Sequence, residues 1–337
     1  MTLKSKLLGA VAGVAMIAGG QAATAGGHSE ITVAYFLEWP MPFQFAKETG
    51  MYEEAMGAKI NWVSFDSGVA MSAAMASGDV QISVSQGVPP FVGAVSGGQD
   101  LQLVDVAVSY SDNDNCVVAS GLEIDKMSAG ELAGKKVAVP LGTAAHYGFL
   151  KQMSHFGVDV GGMDVVDMAP AEGAAALSQG AVDMACGWGG ALRRMKEAGN
   201  ILLTGAEKTE LGILVFDATT APASFVAEEG DMLAKFLNVT AEANQMWNDG
   251  GAMAQSVMLP VIAKDAGMDE TATAETLAGF IFPSVDEQLG AAWLGGGAQD
   301  FMGGVATVFL DSGNIDAALD SYAGTVNTAP LMAVKGM

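Results

Sequence analysis

The chain has 337 residues, of which 38 are acidic and 15 basic, for a formal net charge of −23, and half of it is hydrophobic. That length accommodates two ordinary domains, each with its own core. So acidic a surface repels nucleic acid and anionic membranes, which excludes both as partners, and it gives a free anion little long-range attraction.

Lys4 and Lys6 precede the apolar run Leu7–Ile17, and Ala23-Thr24-Ala25 supplies small residues at A-x-A spacing. This is the layout of a secretory signal, its apolar part too short for a permanent membrane span. Cleavage is expected after Ala25, with Ala22 the alternative. No later stretch reaches the length of a transmembrane helix, so a soluble, exported protein is expected. Cys116 and Cys186, the two cysteines, would then meet an oxidising compartment. A disulfide, two buried thiols or a catalytic thiol are the competing readings.

After the signal, Ile31–Phe36 reads as a strand, and Glu38-Trp39-Pro40-Met41-Pro42 as a rigid turn that bars a helix until about Phe43. Ile60–Phe65 is the second strand, and Asp66-Ser67-Gly68 starts the Ala/Met-rich helix Val69–Ala76. Val80–Val84 and Leu101–Val108 are further strands, with Ser85-Gln86-Gly87 between the first of them and a helix. The Met residues at 51, 56, 71 and 75 read as core. Alternating strands and helices predict a parallel sheet with helices on both faces.

The polar run Ser111–Asn115 interrupts this pattern and reads as a crossover. A second α/β set follows, with strands near Cys116–Ala119, Lys136–Val139, Val165–Met168 and Val182–Cys186. Its helices are expected at about Ala144–Phe156, Glu172–Ser178 and Gly189–Ala198, and Leu211–Ala218 returns. From Ala223 onward the chain is mostly helical, including Phe225–Trp247, Ala272–Phe280 and Asp286–Trp293. The late helices should pack back onto the first set. The expected architecture has lobe 1 over 26–112 plus 218–337 and lobe 2 over 113–217, joined by two crossing strands around a cleft.

Three strand-to-helix junctions share one chemistry: Asp66-Ser67-Gly68, Ser85-Gln86-Gly87 and Gly142-Thr143. Each places hydroxyl or amide side chains and free backbone N–H groups at a strand's carboxyl end, a setting for an anion. Thr143 opens the helix that carries His146 and Tyr147 one turn in. Three or four hydrogen bonds of roughly 1.5–3 kcal/mol each reach the ~8 kcal/mol of micromolar binding, before ordering costs.

Arg193 and Arg194 are the two arginines of the chain, on one helix, and Arg193 pairs simply with Glu197 at i,i+4. A guanidinium clamp on a ligand carboxylate is therefore not expected, which favours an oxoanion such as sulfonate over an ordinary amino acid. Glu38, Trp39, Trp188 and Asp217 form a second group, aromatic faces with carboxylates, suited to an ammonium. No metal or cofactor is expected. Of His28, His146 and His155, the last two fall on opposite faces of their helix, and nothing has zinc spacing. No catalytic residue is assigned, although a Cys116–His146 nucleophilic pair stays open.

Phe65-Asp66-Ser67-Gly68, Gly78-Asp79-Val80-Gln81-Ile82, Lys135–Tyr147, Trp188-Gly189-Gly190-Ala191 and Val215-Phe216-Asp217 resemble the taurine-binding proteins of ABC importers, within the wider sulfonate and nitrate group. The resemblance runs over essentially the whole mature chain. It implies a type II, Venus-flytrap periplasmic binding fold with two crossover strands, a monomer that closes on taurine and hands it to a membrane permease. By that resemblance Ser67, Gln86 and Thr143 belong to the sulfonate end, and Asp217 with Trp188 to the amine end. His146 on the first side, and Glu38, Trp39 and Tyr147 on the second, rest on the residue chemistry above. The alternatives are the same fold holding hypotaurine, an alkanesulfonate or a pyrimidine or vitamin precursor, or an enzyme working through Cys116 and His146.

Overall fold

In the computed structural model residues 28–213 and 215–337 are described; the secretory signal expected over 1–25 lies outside the described residues. Strands β1 (Glu30–Tyr35), β2 (Lys59–Ser64), β3 (Ile82–Gly87), β4 (Leu101–Tyr110), β5 (Asp114–Ala119) and β6 (Lys136–Val139) come first. They are followed by β7 (Asp164–Asp167), β8 (Met184–Trp188), β9 (Gly199–Ile201), β10 (Val215–Pro222) and β11 (Phe280–Ile281). The strands form two sheets, ordered β11-β4-β10-β3-β1-β2 and β7-β6-β8-β5-β9.

The chain passes from the first sheet to the second between β4 and β5, and returns into β10, which lies between β3 and β4. This is the two-lobed α/β fold with two crossovers. The sheets are mixed rather than parallel throughout. β1, β2 and β3 run parallel, as do β6, β7 and β8, whereas β10 is antiparallel to both its neighbours and β5 to both of its own.

Period-two alternation explains the second sheet. Cys116, Val118, Val137, Val139, Met184 and Cys186 face Phe149 and Met153 of helix Ala144–Phe156. Val117, Ala138 and Ala185 face Leu177, Leu192 and Met195 on the opposite side. Both faces are covered, which is why these strands read as continuous apolar runs.

The first sheet holds the larger core, which includes Trp39, Phe43, Phe91 and Val104. Helices Gly230–Asp249 and Gly297–Asp311 add Phe236 and Phe309, both fully buried. Each such side chain contributes about 1.5–3 kcal/mol. Met56, Met71 and Met75 are buried, with Met51 packed against them.

Helix Asp286–Trp293 shrinks to Val285–Gln288 and Phe225–Trp247 is split into Ala223–Glu228 and Gly230–Asp249, and two further shifts bear on the site. β3 begins at Ile82 and runs on to Gly87, taking Ser85 and Gln86 into the strand. The return strand starts at Val215, because Gly205–Glu210 is a capped helix with Gly212 at φ 69° just beyond it. Among the helices after Ala223, Gly251–Ala266 and Gly297–Asp311 join those expected.

Candidate functional site

A small cavity lies between the two sheets. Phe36, Trp39, Gly68, Gly87, Pro90, Tyr110 and Asp217 wall it from the first sheet's side, and Asp114, Thr143, Ala144 and Trp188 from the second. Its wall combines carboxyl groups and aromatic rings with helix starts.

Asp217 of β10 sits opposite Gly87 of β3 and Val108 of β4 and is 3% exposed. Its Oδ2 accepts the Ser85 hydroxyl at 2.7 Å and its Oδ1 the Tyr110 hydroxyl at 2.8 Å. Ser85 in turn accepts the Trp39 indole N–H at 2.8 Å. Trp39 is wedged against Tyr110 and Phe280, at 5.0 and 4.6 Å between ring centroids. Burial pushes the Asp217 carboxyl up to about 7; the Ser85 and Tyr110 hydroxyls oppose that shift and Asp114 adds to it.

Tyr110 is a site residue that sequence reasoning missed, and of the Ser85-Gln86-Gly87 junction it is Ser85 rather than the expected Gln86 that serves the site. Ser85 is buried at φ 64°, a left-handed conformation for a serine. A non-glycine residue held there costs of order 1–3 kcal/mol and persists where its surroundings require it. Here the hydroxyl links Trp39 to Asp217.

Among the helix starts, Thr143 caps helix Ala144–Phe156, accepting the His146 N–H at 3.4 Å and donating its hydroxyl to Pro140 O at 2.6 Å. Ser67 caps helix Gly68–Ser77 through the Ala70 N–H at 3.2 Å. The two starts face each other: a Cβ at Gly142, which has φ 74°, would lie 3.2 Å from Val69 Cγ2. The first N–H groups of each helix have no intrahelical acceptor, and both dipoles put their positive ends here.

Trp39, Trp188, Thr143 and Asp217 therefore wall the cavity, and Ser67 adjoins it through Gly68. Four other expected residues are employed elsewhere. Gln86 alternates with Ser85 along β3 and points to the opposite face, where its amide is held by Gly68 O, Ser72 and Thr220. The helix after it begins Val88-Pro89-Pro90, and prolines offer no N–H, so this junction serves the carboxyl end rather than an anion.

His146 is buried, stacks on Phe309 at 5.6 Å, and its Nδ1 accepts the Gly142 N–H at 3.1 Å. Burial pushes its pKa down to about 4, so it is neutral and fastens the loop to the helix. Tyr147 is buried edge-on against Phe301 at 5.8 Å.

Glu38 is not in the cavity wall. It accepts both guanidinium nitrogens of Arg194, at 2.6 and 3.0 Å, from a turn of the first lobe to a helix of the second. Gly190 N–H also donates to Glu38 O at 3.2 Å, and side chains at Gly189 or Gly190 would collide with this turn. The chain's bidentate arginine clamp is thus closed on its own carboxylate. Arg193 lies 3.5 Å from Glu197, as expected of an exposed pair.

Cys116 and Cys186 stand directly opposite in the antiparallel β5–β8 pair and form a disulfide. With the thiol spent and His146 buried, the Cys116–His146 nucleophilic pair is not assembled. Among the described residues no group of three or more His, Cys, Asp or Glu side chains is placed to hold a metal, and no helix is long and apolar enough to cross a membrane.

Two α/β lobes are thus joined by two crossovers, with a small polar cavity between them. Residues 40–249 match the model of the NMT1/THI5-like family, and the chain belongs to that family. It is similar to the taurine-binding periplasmic protein of Escherichia coli K12, 24% identical over 300 residues that cover 88% of this chain and 91% of that one. It is also similar to a putative aliphatic sulfonates-binding protein of Bacillus subtilis 168, 27% identical over 207 residues, 60% of each chain. Among solved structures, the alkanesulfonate-binding protein SsuA from Xanthomonas axonopodis pv. citri, bound to MOPS, superposes with a TM-score of 0.73 at 17% identity. That match covers 90% of this chain and all of the other.

Proposed function

We propose that the protein is the periplasmic substrate-binding component of an ABC importer and that its ligand is taurine or a near aminosulfonate. The observation that carries this reading is Asp217, a carboxyl group buried among aromatic rings in the wall of a cavity that also takes in the helix starts at Gly68 and at Thr143 and Ala144. That pairing suits a short zwitterion, with its ammonium toward Asp217, Trp39 and Trp188 and its oxoanion toward Thr143, Ala144 and the Ser67 helix. Arg194 is committed to Glu38, so the anion would be held by neutral donors, which a sulfonate accepts.

The two lobes, one built on each sheet, would close as a monomer on the ligand and present it to a membrane permease. Calorimetric titration with taurine, ethanesulfonate and sulfate tests this. Tight taurine and weak ethanesulfonate binding is the expected result. Ethanesulfonate or sulfate binding as tightly as taurine would remove Asp217 and the indoles from recognition. Heat with none of the three would remove the sulfonate reading altogether.

A further inference from the structure

Asp114 is the second carboxyl group in the cavity wall. It opens β5 opposite Trp188 of β8 and is 2% exposed. Its Oδ2 is buried and takes no hydrogen bond from the protein. The nearby Lys208 does not supply one: its ammonium is held by the Asp114 backbone carbonyl. On the helix side the neighbour is Gly148, where a Cβ would come within 3.8 Å of Oδ1.

A buried, unpaired carboxyl group is costly and normally finds a partner. Asp217 differs, because each of its oxygens already accepts a hydroxyl. The two groups also come from different sheets, Asp114 on β5 and Asp217 on β10.

We propose that Asp114 is a direct ligand of the cationic group and sets the preference for a primary ammonium. On this proposal Oδ2 accepts one ammonium hydrogen while Asp217 accepts another, so the cation ties the first lobe to the second. An ammonium has three hydrogens and can serve both carboxylates and an aromatic face together, which a quaternary or uncharged terminus cannot. The proposal rests on the reading that the ligand has a cationic end.

The test is titration of wild type, Asp114→Asn and Asp217→Asn with taurine and with ethanesulfonate. For Asp114→Asn the expected result is a loss of roughly 10- to 100-fold for taurine, the size of a hydrogen bond to a charged group, with ethanesulfonate unchanged or tighter. Equal losses for both ligands, or none for taurine, would assign Asp114 to packing and overturn the proposal. Wild type that prefers taurine, with the preference lost in Asp217→Asn but kept in Asp114→Asn, leaves the function standing and sinks this inference alone. Wild type that does not prefer taurine overturns both.

A measurement on unaltered protein guards against a misfolded variant. Burial pushes both carboxyl groups up to about 7. The other titratable groups facing them are Tyr110 from β4 and Lys208 from helix Gly205–Glu210, the latter also facing Asp112 of the crossover. Taurine binding below neutrality must then expel protons from both carboxyl groups. The slope of log affinity against pH, relative to ethanesulfonate, should exceed one proton; a slope of one or less overturns the second carboxylate.

Discussion

The two parts of the cavity wall are built from different materials. The carboxyl end is assembled from side chains on four strands, Ser85, Tyr110, Asp114 and Asp217, with Trp39 and Trp188 beside them. The helix-start end is assembled from backbone, two N-termini with a capping hydroxyl each. A side chain can be deleted, whereas a backbone N–H group survives almost any substitution except proline. Single mutations should therefore abolish discrimination at one end and only dull affinity at the other.

The largest expected effect is at the carboxyl end. Asp217→Ala should weaken taurine on the order of 100-fold, since about 3 kcal/mol attaches to a charged hydrogen bond, and barely change ethanesulfonate. Titration of both ligands checks it, and equal losses would refute an ammonium role for Asp217.

Acidity should distinguish the ends next. With Asp217 at about 7, going from pH 8 to pH 6 should cost taurine roughly tenfold through that group alone, while ethanesulfonate is not weakened by it. Stability of the ligand-free protein should move the other way. A carboxyl pKa raised in the folded state stabilises the fold at low pH, and this contribution is lost as pH rises from the ordinary carboxylate range through about 7. His146 opposes that trend, because its depressed pKa of about 4 removes stability as pH falls from about 6.5. Melting curves of wild type and Asp217→Asn across this range separate the contributions; identical pH profiles would contradict the raised carboxyl.

At the helix-start end, Thr143→Ala removes a cap worth about 1 kcal/mol of stability. It should weaken taurine and ethanesulfonate alike by a few fold, and a loss confined to taurine would mean that the two ends are not separable. The smallest effect is expected at the rim. Glu38→Gln breaks a half-exposed ion pair between the lobes, worth at most about 1 kcal/mol. Both ligands should weaken by less than about fivefold, and selectivity should stay intact in parallel titrations.

Much of the framework was legible in the residues. Strand Lys136–Val139 and helices Ala144–Phe156 and Gly189–Ala198 lie where periodicity and capping place them. Thr143 and Ser67 act as caps because a hydroxyl before a helix has a partner three residues on. Less of the site was legible. Gln86 looked available because β3 was expected to end before it, and a strand running to Gly87 turns Gln86 and Ser85 to opposite faces. Asp114 lay inside a run read as crossover, and its burial comes from pairing with Trp188 of a distant strand.

The sequence by itself determined the elements, the two crossovers and the helix-start end of the cavity, because caps, turns and apolar periods act over a few residues. Only the tertiary structure decided which carboxyl groups face the cavity, that Glu38 meets Arg194, and that Cys116 meets Cys186. Those outcomes depend on strand register and on partners far away in the chain, and local chemistry is the same whichever face a side chain takes.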